Sequence, residues 1–395
     1  MPLLPRRTPL AWLNLTTSWQ KLLLAAAGVG FAVLLMFSQI GFRNGLFDST
    51  VQMVRILEGD LFIVSKARYT IASEQRFDRA EMYRAVTVPG VAAVRPIYLG
   101  RVGTVLRVIG HPSRSIRVIG VPLDGRVFVS DWLDAKRDLI RPEGTALLDN
   151  RTKKSYGLER SDVQQLRRQA VELSGRLIRL IDYVQIGTDF VNDGTLVVSN
   201  ETFAAYFPFR EAPGVDPLSA VDFGLVQLES GADAEAVRRE LESLAPQHWD
   251  VMTKQQIIDR DIRFWGQSTP IGIIFTVGTV MGLAVGTIIC YQILFTEIAD
   301  HMAEFATLKA MGYTPTYFFR LIMTQSVYLT LLGFVPAAAL TVGMFWMLSE
   351  TTGLVMILTP LRVAGVFALT LLMCLSGGVL AVRKLVSSDP ASLFK

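Results

Sequence analysis

Residue types that commonly perform catalysis or bind metals are sparse and scattered in this sequence. The three histidines, His111, His248 and His301, fall in widely separated segments, so they do not predict a three-histidine zinc site. His301 and Glu304 are one helical turn apart, which is more typical of a solvated helix face than of a metal site. The sequence contains neither the phosphate-binding pattern G-x-x-x-x-G-K-[ST] nor the nucleophile pattern G-x-S-x-G. We therefore predict no catalytic, cofactor-binding or metal site in this chain.

Four long uncharged runs indicate a membrane protein. Hydrophobic residues make up 51% of the sequence, and its mean hydropathy is +0.37. An α-helix needs about 20 apolar residues to cross roughly 30 Å of hydrocarbon, and one charge at the bilayer centre costs about 2.5–3.5 kcal/mol. The runs are 22–40, 271–295, 321–348 and 363–382. Because they lack Asp, Glu, Lys and Arg, they also lack the usual ligands of an ion-coupled carrier.

The first run is predicted to be a retained anchor rather than a cleaved signal peptide. It is longer than the usual apolar core of about 7–15 residues, and residues 41–44 supply no A-x-A-like cleavage site. Lys and Arg are enriched in cytoplasmic loops, and the side that holds both termini is the basic one, whereas the opposite short loop has only Arg362. Both termini are therefore expected in the cytoplasm, and the net charge of +4 does not predict nucleic-acid binding. The basic residues on that side are Arg6, Arg7, Lys21, Lys309, Arg320, Arg383, Lys384 and Lys395.

The segment 43–267 is predicted to form one large extracytoplasmic domain. It contains no cysteine, since Cys290 and Cys374 both fall in uncharged runs, so its stability cannot depend on disulfides. Short apolar alternations predict strands, and helical periodicity predicts helices between them. Strands are expected at 60–65, 91–99, 102–108, 115–121, 195–198 and 223–228, and helices at 78–86, 161–173 and 232–244.

The expected fold class is a membrane protein of the α + β class. Four transmembrane helices carry a large extracytoplasmic α+β domain, which is inserted between helices 1 and 2. A strand–helix–strand pattern near each end of the domain predicts two βαβ-like lobes joined by a variable middle. In chain order we expect a cytoplasmic amphipathic segment (1–21), span one (22–42), the domain (43–267), span two (268–295), a cytoplasmic loop (296–320), span three (321–348), an outer loop (349–362), span four (363–382) and a cytoplasmic tail (383–395).

Helical periodicity at both ends of the domain predicts helices that continue outward from spans one and two. We interpret them as rigid stalks, because about 16 helical residues extend about 24 Å. Two helices lying on the membrane surface are the alternative. The apolar stalk positions are Leu46, Met53 and Leu57 on the first side and Ile258, Ile262 and Trp265 on the second.

The loop between spans two and three contains a segment with the composition of a helix. Residues 297–313 read EIADHMAEFATLKAMGY, and Gly312 is expected to end the helix. A helix lying flat among the headgroups is one interpretation. A rigid projection that inserts into a groove of a cytoplasmic ATPase is the other, and we favour it because the chain has no nucleotide site of its own. The candidate contact residues are Glu304, Phe305, Thr307, Leu308, Lys309, Met311 and Gly312.

Small residues spaced by four predict close helix packing in the membrane. Gly278, Gly282 and Gly286 follow this spacing on span two. Contact within one chain is the favoured interpretation, and a homodimer seam is the alternative. Pro336 is expected to kink span three.

Several segments resemble a known family of membrane proteins. Residues 303–313, AEFATLKAMGY, resemble the E-x-x-x-L-[KR]-A-x-G element of FtsX-like and MacB-like permeases, in which it forms the coupling helix. LAWLNL (10–15), TPIGIIF (269–275), CYQILF (290–295) and DPASLF (389–394) resemble the DevC-like permeases of heterocyst-type glycolipid exporters.

This resemblance implies the permease subunit of an ABC exporter in the bacterial inner membrane, with an FtsX-like permease domain at 268–390. It implies no enzyme activity here, because a separate DevA-like ATPase would bind ATP and Mg²⁺. The other implied partners are a DevB-like periplasmic membrane-fusion (adaptor) protein, a TolC-like outer-membrane channel, membrane lipid and a second permease copy.

The mechanism that the resemblance implies is mechanotransmission. Closure of the ATPases would push the coupling helix, and the stalks would carry that movement to the periplasmic domain, which drives export of a lipid, a glycolipid or another hydrophobic cargo. Two alternatives remain: a non-transporting FtsX-like subunit that regulates a periplasmic partner, and a membrane-anchored periplasmic enzyme.

Overall fold

Two compact units make up the chain in the computed structural model, which describes residues 10–101, 103–158, 162–189, 191–245, 247–354 and 356–387. Among these residues, the helical unit comprises Met1–Asn44, Pro270–Met347 and Met356–Lys395, and the sheet unit comprises Gly45–Thr269 and Leu348–Val355. Some predictions fall outside the description: the charges of Arg6, Arg7 and Lys395, the motif at 389–394, the element ends Val102 and Ser161, and the side chains of Lys309 and Lys384.

Helices dominate both ends of the chain and are short within the sheet unit. In the described residues they are α1 Leu10–Thr16, α2 Trp19–Ile56, α3 Arg79–Tyr83, α4 Asp131–Ala135, α5 Val163–Arg168, α6 Asn200–Tyr206, α7 Ala234–Leu244, α8 Lys254–Gln267, α9 Pro270–Asp300, α10 Met302–Ala310, α11 Pro315–Thr352 and α12 Pro360–Ser387.

Four of these helices, α2, α9, α11 and α12, are long and apolar enough to cross a membrane. Three of them begin with a proline: Pro270, Pro315 and Pro360. Proline is favoured at the first helical position because its missing N–H would have no partner there and its φ is already helical. The sequence thus marks where these helices start. Pro336 lies inside α11, and the helix continues on both sides of it.

The strands of the sheet unit are β1 Leu61–Ser65, β2 Phe77–Asp78, β3 Val91–Gly100, β4 Val105–Val108, β5 Arg114–Ser115, β6 Arg117–Val121, β7 Thr145–Asp149, β8 Val171–Leu173, β9 Arg176–Val184, β10 Thr195–Ser199, β11 Ala220–Val221, β12 Phe223–Leu228 and β13 Trp249–Thr253. Eleven of them form one sheet in the order β13-β1-β12-β3-β6-β10-β7-β9-β8-β4-β5, and β2 pairs with β11 separately.

Both predicted strand–helix–strand patterns are present, but they share one sheet. β1–α3–β3 and β12–α7–β13 interleave, which gives the strand order β13-β1-β12-β3 with antiparallel neighbours. This is the split βαβ arrangement. The fold class, with an α+β domain between the first two apolar helices, is confirmed. Because the two patterns interleave, they do not form separate lobes. The rest of the sheet comes from the middle of the domain, β4 to β10.

One predicted helix, 161–173, is wrong in its second half. α5 ends at Arg168, and Val171–Leu173 form β8 because V-E-L alternates with period two. Ser174 and Gly175 have φ of 49° and 83°, which suits a two-residue hairpin turn into β9. β7 and β9 are absent from the predicted strands. Every residue of β7 is buried, so its short sequence, TALLD, lacks the alternation of apolar and polar residues that marks a half-buried strand.

Both faces of the sheet are covered by helices. Leu61 and Ile63 of β1 pack in a cluster with side chains of α3 and α7. Phe62 and Val64 point the other way, into a cluster that contains Leu57 after α2 and side chains of α8. The helices predicted as stalks are therefore core elements of this unit, where each fully buried aliphatic side chain contributes about 1.5–3 kcal/mol.

The carboxylate of Asp261 joins these two helices to a loop. Asp261 lies on α8, is 1% exposed, and accepts hydrogen bonds from the Thr50 hydroxyl on α2 (2.8 Å) and the Ile71 backbone N–H (2.8 Å). Burial raises the pKa of Asp261 above its ordinary value, and the two hydrogen bonds oppose that shift. One polar side chain thus fixes α8 against the end of α2.

We predict that Asp261→Asn weakens the pH dependence of thermal unfolding. A carboxyl group whose pKa is raised by folding binds more protons in the folded state. Stability therefore falls as pH rises from the unfolded pKa, about 4, through the folded pKa. The amide stays neutral and can still accept from Ile71, so melting temperatures of the full-length protein in detergent should fall less steeply with pH.

The matched control is Asp259→Asn, an exposed change on the same helix, which should keep the wild-type slope. Some slope should remain in both variants, because burial also raises the pKa of Asp149. The same slope in Asp261→Asn as in the wild type would contradict this account of the buried carboxylate.

Candidate functional site

The short helix α10 is held to the helical unit by one aromatic side chain. Phe305 is 6% exposed, and its ring meets that of Phe318 edge-on with centroids 5.6 Å apart. Phe318 lies in the first turn of α11, so the contact bridges the connection between the two helices. Leu308 is half-buried against the same apolar cluster. Since positions three apart share a helix face, α10 has one face directed into the unit.

The opposite face of α10 is open. Glu304 and Thr307 are exposed, and Met311, just beyond the helix, is 64% exposed. The candidate contact residues therefore form two groups: an exposed group, and an anchoring pair that consists of Phe305 and Leu308. The backbone of Lys309 belongs to α10, but its side chain lies outside the description.

A histidine connects the end of α9 to the start of α10. His301 Nε2 lies 3.3 Å from a carboxylate oxygen of Glu297, and Nδ1 lies 3.2 Å from one of Glu304. Within the described part of the chain, no group of three or more His, Cys, Asp and Glu side chains is placed to hold a metal ion. His301 and Glu304 are in side-chain contact at the start of α10.

A glycine cap ends α10. Gly312 has φ of +93°, which L side chains rarely adopt. The Tyr313 N–H donates to the Leu308 carbonyl at 3.2 Å, which is the hydrogen bond expected of a Schellman cap. The chain then enters α11 at Pro315. α10 is thereby joined to its neighbours through short connections on both sides.

The helix α1 packs into the same apolar cluster as α10. Ala11 and Leu15 are buried there together with Phe305. Lys21 and Asp300 form an ion pair at 2.6 Å between α2 and α9, but both side chains are well exposed. Exposed pairs of this kind contribute about 0–1 kcal/mol, so apolar burial rather than this ion pair holds the region together.

The three glycines of α9 face the first apolar helix of the same chain. A Cβ added to Gly278 would lie 2.6 Å from the Gln39 side chain, and one added to Gly286 would lie 2.9 Å from Ala32 Cβ. Gly282 lies between them with more room. This geometry matches the intrachain interpretation of the glycine pattern.

The seam between α9 and α12 is equally close. Cys290 and Cys374 are fully buried, with their sulfur atoms 3.3 Å apart. A Cβ added to Gly377 would lie 2.9 Å from the Tyr291 backbone nitrogen. α9 is therefore packed against neighbours on two sides within one chain.

The predicted stalk residues fall into two groups. Met53, Leu57 and Ile258 are buried in the sheet unit, and Ile262 packs against them. Leu46 and Trp265 are half-buried. The residue that joins the two stalk helices is Asp261. Its sequence signal is an acidic residue within an apolar helical stripe, and that pattern does not show which groups the carboxylate contacts.

The other buried charges of the sheet unit serve structure. Asp222 accepts hydrogen bonds from Arg68 (2.6 Å), from Arg210 and from the Leu99 backbone N–H (2.7 Å). Burial lowers the pKa of Arg68, and the ion pair with Asp222 opposes that shift. Arg68 and Asp222 are almost fully buried, so this network ties loops to the sheet and does not face a substrate.

Two open clefts on the described part of the sheet unit have volumes of about 410 and 390 Å³. Neither lining contains Ser, Thr, Cys or His, which commonly act as nucleophiles or general bases. Their charged lining residues are Glu58, Asp60 and Lys254 in the first, and Arg238, Glu242, Asp250, Asp259, Arg260 and Arg263 in the second.

Comparison with known proteins gives two family matches. Residues 22–244 match the MacB-like periplasmic core domain, and residues 271–390 match the FtsX-like permease C-terminal domain. Comparison with curated protein sequences gives no significant match.

Solved structures give distant likenesses to about half of the chain. The periplasmic region of MacB from Actinobacillus actinomycetemcomitans is 15% identical, with 52% of this chain and 92% of that chain covered and a TM-score of 0.35. The extracellular domain of the ABC-type transporter YknZ from Gram-positive bacteria is 15% identical, with 50% and 99% covered and a TM-score of 0.32. These likenesses are too distant to bear on function.

Four membrane-crossing helices, with an α+β domain of periplasmic type between the first two, define a class of protein: the permease and mechanotransmission subunits of ABC-type transporters. The chain belongs to the MacB-like family within this class, since the periplasmic core match covers more than half of its length. Membership of this family implies an ABC ATPase partner and often an adaptor.

We predict that Gly286→Val destabilises the helical unit by about 1–3 kcal/mol, the usual cost of overpacking. The Met373 side chain can move aside, but Ala32 is part of the facing helix and cannot. Thermal unfolding in detergent should show a lower melting temperature. Gly365→Val on α12, where an added Cβ meets no atom within 4 Å, is the matched control and should leave the temperature unchanged. Equal melting temperatures for both variants would argue against intrachain packing at the glycines.

Proposed function

We propose that this chain is the permease subunit of an ABC-type exporter that works by mechanotransmission. A separate cytoplasmic ATPase would push on α10, and the resulting movement would reach the periplasmic domain. The observation that carries the proposal is the division of α10 into an anchoring face and an exposed face, in a family that implies an ABC ATPase partner.

The packing of α10 is suited to transmitting a force from the ATPase to the helical unit. Glu304, Thr307 and Met311 offer an exposed surface, while Phe305 lies in the core of the helical unit. A force on the exposed face therefore acts on packed side chains rather than on a loose loop. The histidine contact at one end and the glycine cap at the other limit how far α10 can turn without moving α9 and α11.

The length and continuity of α2 are suited to transmitting that movement to the periplasmic domain. This helix is unbroken over 38 residues, from Trp19 to Ile56, which corresponds to about 57 Å. It contains both the first apolar run and the Thr50 hydroxyl that bonds to Asp261 in the sheet unit. α8 and α9 differ, because Ser268 and Thr269 interrupt the helix between them. We therefore assign the continuous lever to α2.

The cargo and partners follow from the DevC-like resemblance. We propose export of a lipid, a glycolipid or another hydrophobic molecule, with a DevA-like ATPase, a DevB-like adaptor, a TolC-like outer-membrane channel and a second permease copy. Both termini would lie in the cytoplasm, and the chain would lie in the bacterial inner membrane. The four predicted spans contain no Asp, Glu, Lys or Arg, which supports a mechanism in which the cargo does not pass through a polar path in this chain.

Copurification from mild detergent tests the proposal. We expect an ABC ATPase and a membrane-fusion protein to remain bound to the full-length chain. Binding of the ATPase without any adaptor would favour a regulatory subunit of the same fold, and binding of neither would refute the proposal.

We predict that Glu304→Lys reduces export by about tenfold or more, while the protein level in the membrane stays normal. A tenfold loss corresponds to about 1.4 kcal/mol of contact energy between α10 and the ATPase. Thr307→Pro should act more strongly, since proline inside a helix costs about 3 kcal/mol. Export and ATP hydrolysis would be measured on the same reconstituted complex.

The control for Glu304→Lys is His301→Gln, because the lysine also disrupts the contact with His301. His301→Gln removes that contact but keeps the carboxylate, and it should retain most of the export. Full export by Glu304→Lys and Thr307→Pro would contradict a coupling role for α10.

We also predict that one alanine inserted between Asn44 and Gly45 abolishes export while ATPase binding persists. The insertion falls inside the unbroken α2 and changes the register between its apolar run and its domain segment by about 100°. An alanine inserted between Ser268 and Thr269 is the matched control, because the break between α8 and α9 can absorb it. Equal export by the two insertion variants would rule out a rigid lever.

A further inference from the structure

We propose that residues 348–354, which follow the membrane-crossing part of α11, form a docking element that attaches α11 to the periplasmic domain. Gly353 is its positioning residue. The inference rests on the proposed function, since it adds a second route by which movement of α10 reaches that domain. It starts from the finding that this segment, distant in sequence, belongs to the sheet unit.

The end of α11 is a well-formed cap. Gly353 has φ of +74°, and its N–H donates to the Ser349 carbonyl at 3.0 Å. The Ser349 hydroxyl donates to the Leu354 carbonyl at 3.0 Å, and the Thr352 hydroxyl donates to the Leu348 carbonyl at 2.7 Å. These bonds hold the last turn and the residues after it in one conformation.

This cap lies directly against two strand-connecting loops of the domain. The Thr188 hydroxyl points at the Thr352 carbonyl at 3.4 Å. A Cβ added to Gly353 would lie 2.5 Å from Thr188 Oγ1 and 2.7 Å from the Arg151 carbonyl oxygen. Two independent features of this position therefore require glycine: the positive φ and the close approach of Thr188 and Arg151.

The surface that receives the cap is itself fixed by a buried carboxylate. Asp149 is fully buried and accepts hydrogen bonds from the Gly187 N–H (2.7 Å) and the Arg151 N–H (3.1 Å). Both loops that contact Gly353 are therefore held by one side chain. Asp189, next to Thr188, also forms a buried ion pair with Arg117 at 2.8 Å. Buried polar contacts therefore hold the docking surface together.

The helix α11 connects the docked cap to α10. α11 begins at Pro315, five positions after the last residue of α10, and runs as one helix of 38 residues to Thr352. A displacement of α10 can therefore pass along α11 to the docked cap, independently of α2 and of the α8–α9 pair.

The test compares valine substitutions at two glycines, Gly353 in the docking element and Gly343 in α11. Gly353→Val should undock the cap, because the new side chain meets Thr188 and Arg151 and the positive φ is strained. Gly343→Val is the matched control on α11, where an added Cβ meets no atom within 4 Å. Thr188→Val, which is close in shape and lacks the hydroxyl, gives a milder variant in case Gly353→Val does not fold.

Hydrogen exchange and export would be measured on the full-length protein in complex with its ATPase. In Gly353→Val we expect amide exchange to rise about tenfold both at 349–354 and at 186–189, and export to fall at least fivefold with ATPase binding unchanged. In Thr188→Val we expect changes of about two- to threefold in the same directions. Gly343→Val should match the wild type.

Unchanged exchange at 186–189 in Gly353→Val, or in Thr188→Val if the first variant does not fold, would refute the docking. If Gly353→Val raises amide exchange at 186–189 but exports as well as Gly343→Val, the transmission of movement through α11 is refuted. Either result leaves the proposed function standing if Glu304→Lys still impairs export. Normal export by Glu304→Lys would instead refute the proposed function itself.

Discussion

The hydrogen-bond ladder of α2 runs without a break from an apolar segment into the core of the sheet unit, and much of the structure depends on that continuity. An α-helix satisfies its own backbone groups, so the same element can cross hydrocarbon and then pack in a protein core. Residues 22–40 are uncharged, whereas Thr50, Val54 and Leu57 contribute to the packing and hydrogen bonding of the sheet unit. A flexible linker at this point would remove this helical connection between the two units.

The membrane-crossing helices were the most predictable part of the fold, because length and lack of charge are sufficient to identify them. The prolines at 270, 315 and 360 even mark where three of them begin. Pairing between distant strands was not predictable, since no local pattern shows that β1 lies between β12 and β13. The same limit explains why two similar strand–helix–strand patterns suggested two lobes, although they interleave in one sheet.

Within the candidate site, the sequence identified α10 and its terminal glycine but not which side of the helix is exposed. Phe305 and Met311 are both large and apolar, and only packing shows that the first is an anchor and the second is exposed. Buried polar residues were harder still. Asp149 and Asp261 are buried because backbone N–H groups and a hydroxyl satisfy their oxygens, and most of those donors come from segments distant in sequence. Gly353 resembles many other glycines until its neighbours in space are known.

The pairing of β1 with β13 decides how the sheet responds to opposing loads. β1 follows α2, β13 leads directly into α8, and Leu61 lies opposite Thr253 at the end of the pair that both connections share. If the two helices are pulled apart, the hydrogen bonds between these strands are loaded one after another, as in a zipper, and not all at once as in shear. Each contributes about 1 kcal/mol, so the Leu61–Thr253 end would open first. The sheet would thus peel locally before the domain loses its fold.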